Sequence, residues 1–164
     1  MDFSHTHHFD ADIDAVAAML ADESFSLTRG RAAGAEECDA IVDGTPDADF
    51  TVSIRRVVPA STIPQEFRGL VGRTLNVKYT EAWEAPADGE RHGTFAMEIA
   101  GTPGHAAGTL QLVATDESTD LSLAGTVHVT VPLFGHVIEQ AVAAAVGKAF
   151  DLELAAADEW LASR

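Results

Sequence analysis

The strongest constraint on this chain is a switch in hydrophobic period near residue 134. From about residue 37 to 131 the sequence alternates with a period of two, broken every eight to twelve residues by turn signals. Beyond it runs one uninterrupted helical pattern, from about Phe134 to Ala162. The strand segments are Glu37 to Asp43, Asp49 to Val58, Thr74 to Glu84, His92 to Ala100, Ala107 to Ala114 and Leu121 to Val131. Gly44-Thr45-Pro46-Asp47, Ala87-Asp88-Gly89, Gly101-Thr102-Pro103-Gly104 and Asp116 to Thr119 supply turns. Each strand carries one apolar face, as in Leu75, Val77, Tyr79, Glu81 and Trp83, or Phe95, Met97 and Ile99. One-sided alternation predicts an antiparallel sheet covered on one face only.

The helix is long enough to cover that face, at about 42 Å for roughly 28 residues. Ile138, Val142, Ala145, Ala149, Leu152, Ala156 and Trp160 fall on one stripe, with Gln140, Lys148, Asp151 and Asp158 opposite. The stripe is rich in alanine. A slim rod laid across a strongly twisted sheet cannot fill it along its whole length, which predicts a cavity between them.

The first 36 residues add a strand and short helices. Phe3, His5, His7 and Phe9 alternate with polar residues, as a strand would. Asp12 caps a helix with Ile13, Val16, Ala17 and Leu20 at helical spacing, and a second piece covers Phe25 to Ala35. Pro64 opens a short helix, Gln65 to Val71, ended by Gly72. Gly125 predicts a bulge or bend in the last strand. The order is strand, one or two helices, six strands, long helix. This order predicts an α+β helix-grip domain with about seven strands, spanning residues 1–164 as one domain.

Composition narrows the function. With 10 Lys and Arg against 26 Asp and Glu, the formal net charge is −16. That surface repels phosphate backbones and anionic membranes, which excludes nucleic acid as the expected partner. No apolar run approaches the roughly 18 residues of a membrane span, and the first residues lack the pattern of a signal peptide. The expected address is cytoplasmic, without membrane insertion. The one cysteine, Cys38, reads as a small buried hydrophobe. No G-x-S-x-G, G-x-x-x-x-G-K-[ST] or G-x-G-x-x-G pattern occurs, so no nucleophile elbow or phosphate cradle is expected.

His5, His7 and His8 form a cluster, but two imidazoles on one strand face lack the third and fourth ligands of a metal site. We expect no metal and no cofactor. Glu81 stands on an apolar face between Tyr79 and Trp83. Facing a cavity, its pKa would rise as a general acid or base requires. Paired with Arg56, which alternation places on the Ile54 face, it would be a structural salt bridge. Tyr79, Trp83, Phe95 and Met97 are either pocket lining with polar tips or plain core. The candidate ligand-binding set is therefore Tyr79, Glu81, Trp83, Phe95, Met97 and Arg56, with no catalytic residue assigned.

An ordered series of segments resembles a known group. It comprises Pro64 and Phe67, Val71-Gly72, Leu75, Glu81-Ala82-Trp83, Gly93-Thr94-Phe95, Gly101-Thr102-Pro103, and Gly125 with Val129-Thr130-Val131-Pro132-Leu133. Gly135, Ile138-Glu139 and Trp160-Leu161 complete it. The chain is similar to the START-like superfamily of polyketide cyclases and pollen-allergen-like proteins. Within it, the chain resembles an actinobacterial family known only as a domain of unknown function. The resemblance implies the helix-grip fold and a small apolar ligand, lipid, sterol or polyketide-like, in a central cavity. The competing classes are a cyclase, dehydratase or hydrolase using cavity acid–base groups, and a protein-interaction module with a filled core.

Overall fold

In the computed structural model the chain is described over residues 1–164, the side chains of Thr62 and Leu70 excepted. Strand β1 (Asp2–Phe9) leads into helices α1 (Ile13–Leu20) and α2 (Glu23–Ala32). Six strands follow: β2 (Glu37–Gly44), β3 (Phe50–Pro59), β4 (Thr74–Trp83), β5 (Glu90–Ile99), β6 (Gly104–Thr115) and β7 (Ser118–Val129). Two 3₁₀ turns, Ala60–Thr62 and Gln65–Leu70, bridge β3 to β4, and α3 (Gly135–Ala162) closes the chain. The sheet is antiparallel throughout, in the order β1-β7-β6-β5-β4-β3-β2. The expected helix-grip order is thus the one observed.

Local chemistry explains the starts and stops. The Asp12 carboxylate accepts from the Ala15 N–H at 2.8 Å, and that of Asp22 from Ser24 at 2.7 Å, so each short helix has a side-chain cap. Gly30 persists inside α2 because a Cβ there would collide with the Cys38 sulfur of β2. The β4–β5 turn uses positive φ at Asp88 (52°) and Gly89 (76°), as a two-residue hairpin requires. At the β2–β3 turn, the buried Arg91 guanidinium donates to the Pro46 and Ala48 carbonyls and pins the loop.

The bowl is creased by two glycines. Gly108 and Gly125 face each other across β6 and β7, and the register runs through them without a bulge. On the inner face they continue a row Phe3–Gly125–Gly108–Phe95 across four strands. The two aromatic rings, 6.1 Å apart, lean over the glycines. A Cβ on Gly125 would lie 2.7 Å from the Phe95 ring tip, and one on Gly108 2.5 Å from the Gly125 Cα. Backbone cannot yield as a flexible side chain does. Gly108→Ala is therefore expected to destabilise by about 1–3 kcal/mol, measured by urea denaturation.

Filling is uneven along the bowl. Its deep end, beneath α1, α2 and the second half of α3, is packed with Phe9, Phe25, Phe50, Trp83, Phe95, Leu110, Leu112 and Phe150. The other end, beneath the first half of α3, carries smaller residues such as Ala106 on the sheet and Ala141 and Ala145 on the helix. The helix is turned by about one residue from the predicted stripe. Leu152 is 43% exposed, and Val146, Phe150, Glu153, Leu154 and Ala157 are buried instead. Large side chains at 146, 150 and 154 fill the bowl better than alanines, so they take the inward face.

Candidate functional site

Under the first half of α3 lie two adjoining, largely apolar cavities, of about 240 Å³ and about 280 Å³. Both are walled by Ile63, Leu75, Met97, Ile99 and Val142, so they read as one chamber with two arms. The first arm runs toward Phe67, Pro103 and Val131; the second runs along α3 to Arg56, Tyr79, Phe150 and Glu153. Strand geometry explains the lining. Alternation aims Leu75, Val77 and Tyr79 of β4 and Met97 and Ile99 of β5 to the same side, beneath the helix.

At the inner end of the second arm lies a buried charge cluster. The Arg29 guanidinium of α2 donates to Glu81 at 2.8 Å, and that of Arg56 to Glu153 at 2.6 Å. Arg29 and Glu153 are 4.0 Å apart, so the four charges form one chain. Tyr79 donates its hydroxyl to Glu81 at 2.8 Å, and the Trp83 indole donates at 2.9 Å. All four charged residues are at most 7% exposed. The expected Glu81–Arg56 pair does not form. Glu81 takes Arg29 instead, and Arg56 takes Glu153, because the helices bring closer countercharges onto the apolar face.

Burial alone would raise the Glu81 pKa, but the Arg29 charge and the three donated hydrogen bonds outweigh it. The carboxyl is held below its ordinary value and stays ionised. This reverses the upward shift expected for a general acid. Burial first, and then the Glu81 carboxylate, push the Tyr79 hydroxyl well above its ordinary value, so it is a fixed donor.

The six sequence-predicted residues divide. Tyr79, Met97 and Arg56 line the chamber. Glu81 and Trp83 line a smaller cavity of about 40 Å³ beyond Phe150, and Phe95 packs as core against Phe150 and Tyr79. Sequence reasoning missed Arg29 and Glu153. A signal for Arg29 existed: Phe25, Ser26, Arg29 and Gly30 share one buried face of α2. The histidines do not converge. His5 meets Asp151 of α3 at 3.3 Å, His7 meets Asp158 at 2.9 Å, and His8 meets Asp120 of β7 at 2.6 Å. They fasten the edge strand β1 to its neighbours. Among the described residues, no group of three or more His, Cys, Asp or Glu is placed to hold a metal. Among them, too, no helix is long and apolar enough to cross a membrane.

A curved seven-stranded sheet gripping a long terminal helix is the START-like fold, and this chain has it. Solved structures with the same fold include TTHA0849 from Thermus thermophilus, at TM-score 0.65 and 14% identity over 99% of this chain and 98% of that one. Others are a START superfamily protein from Mycobacterium smegmatis (0.55, 15%, covering 99% and 97%) and Ara h 8.0201 (0.56, 12%, covering 100% and 99%). Within that fold the chain belongs to the family described as protein of unknown function DUF2505, whose pattern matches residues 4–161. A search of curated proteins finds no match.

Proposed function

We propose that this protein binds a small apolar molecule in the chamber beneath the first half of α3. The observation that carries the reading is the chamber itself: two adjoining arms with largely apolar walls, beside a deep end whose one cavity, among the described residues, is about 40 Å³. Interiors are normally filled to crystal density, so an unfilled half needs an occupant or a reason. The START-like neighbours support the same reading. In it, Met97, Tyr79 and Arg56 touch the ligand and Phe150 closes the inner end of the arm, with Glu81 and Trp83 beyond that ring and Phe95 packed against it. Binding without turnover fits Glu81, an anion already satisfied by three donors and poorly suited to moving a proton.

The test uses N-phenyl-1-naphthylamine, a neutral dye that fluoresces in apolar sites. Wild-type protein is expected to bind it. Ala145→Trp, which fills the arm between α3 and β4, is expected to weaken binding at least about tenfold with little change in melting temperature, because the indole occupies existing space. Undiminished dye binding in a folded Ala145→Trp protein counts against the chamber as the site.

A further inference from the structure

Two histidines outside the β1 cluster do converge. His105 of β6 and His128 of β7 stand directly opposite each other in the register. Ala106 and Val127, the next pair along, are buried, so alternation puts both imidazoles on the outer face, where both are exposed. Their ring centroids are 5.6 Å apart, with the planes inclined at 55°. A metal–nitrogen bond of about 2.0–2.1 Å puts a ring centroid about 3.2 Å from the ion. Two imidazoles on one ion therefore stand about 4.5 Å apart at a right angle and about 6.4 Å apart in a straight line. The observed separation falls inside that range, so small side-chain rotations bring one nitrogen of each ring onto a common ion.

The surroundings orient one of the rings. The Glu139 carboxylate of α3 stands 3.7 Å from His128 Nδ1, and is itself fixed by accepting from the Val129 N–H at 3.0 Å. A carboxylate on that side favours the tautomer with its proton on Nδ1 and leaves the lone pair on Nε2. Imidazoles that ligate metals are commonly held by a carboxylate in this way. The Thr130 hydroxyl is the neighbour of Nε2, at 3.4 Å.

We propose that His105 and His128 form a two-nitrogen surface site for a divalent first-row transition metal, copper(II) above the others, with water in the remaining positions. The site draws nothing from the chamber. Imidazole sets the class, since magnesium and calcium take oxygen ligands. Among the described residues no group of three or more His, Cys, Asp or Glu is placed to hold a metal, which rules out the closed four-ligand shell of structural zinc. Copper(II) binds a given nitrogen site most tightly, and its tetragonal shell accepts two nitrogens beside oxygens. The net charge of −16 draws cations of every kind toward the surface, and the imidazoles choose among them.

The experiment titrates copper(II) into the full chain by calorimetry, comparing wild type with His105→Asn, His128→Asn and His92→Asn. All three positions are exposed, so the fold is expected to hold in each variant. Loss of either member of the pair is expected to weaken binding at least about tenfold, with His92→Asn unchanged. Equal affinity in wild type and both variants of the pair overturns the site. Imidazole proton–nitrogen spectra of wild type at substoichiometric copper(II) locate the ion directly. His105 and His128 are expected to broaden first. Broadening that begins at another histidine, or spreads evenly over all seven, overturns the proposal. A large excess of magnesium is expected to leave the copper(II) affinity unchanged. Competition by magnesium would assign the ion to the acidic surface and overturn the imidazole pair as its ligand.

Discussion

Glu81→Ala is expected to lower the stability of the fold by about 3–5 kcal/mol, seen as a fall in the urea midpoint at unchanged slope. The substitution strands Arg29 in the interior and removes the acceptor for Tyr79 and Trp83. Replacing both charges, as in Arg29→Met/Glu81→Met, is expected to recover most of that loss, because no uncompensated charge is left buried. A single variant as stable as wild type would show that the pair does not hold α2 to the sheet. Acid tests the same carboxylate with a definite sign. Its folded pKa lies below the ordinary 4.5, so its contribution is full above that value and is lost as pH falls through the folded pKa. The double variant lacks this part of the acid sensitivity.

Phe150→Ala carries a comparable cost by another route. The ring is 8% exposed and meets the Tyr79 and Phe95 rings edge-on, at 6.2 and 6.3 Å between centroids. Deleting it removes contacts on both sides and joins the small cavity to the chamber. The expected loss is about 3–5 kcal/mol by urea denaturation. Binding of N-phenyl-1-naphthylamine is expected to survive in the protein that remains folded, since the chamber grows. A loss below about 1 kcal/mol would mean that neighbours collapse into the gap, and that Phe150 does not separate the two spaces.

The strands were legible because their faces are chemically unlike. Phe50, Val52 and Ile54 alternate with Thr51 and Ser53, and a slip of one residue would turn the first set to solvent. The phase of the long helix was not. Leu152 looks like core and Glu153 like surface when each is judged by its own polarity. Glu153 goes inward because Arg56, 97 positions earlier, is already there to meet it. Such a pairing exists only after the chain has folded, and it has no period to betray it. The same holds for Arg29 and Glu81, 52 positions apart. That Tyr79, Met97 and Arg56 face the chamber follows from strand alternation. Which half of the bowl stays open depended on how α1 and α2 dock, and local spacing does not encode that.

The pairing of β1 has a consequence for how the chain assembles. From β3 to β7 every strand lies beside the one made just before it, so that part of the sheet can grow by local closures. β1 is the exception: it waits for β7, and Asp2 bonds to Thr126, 124 positions on. Closing so long a loop comes late and slows folding. During synthesis β1 is made before β7 exists, so it is left without its sheet partner, and His5, His7 and Phe9 stay uncovered until β7 arrives.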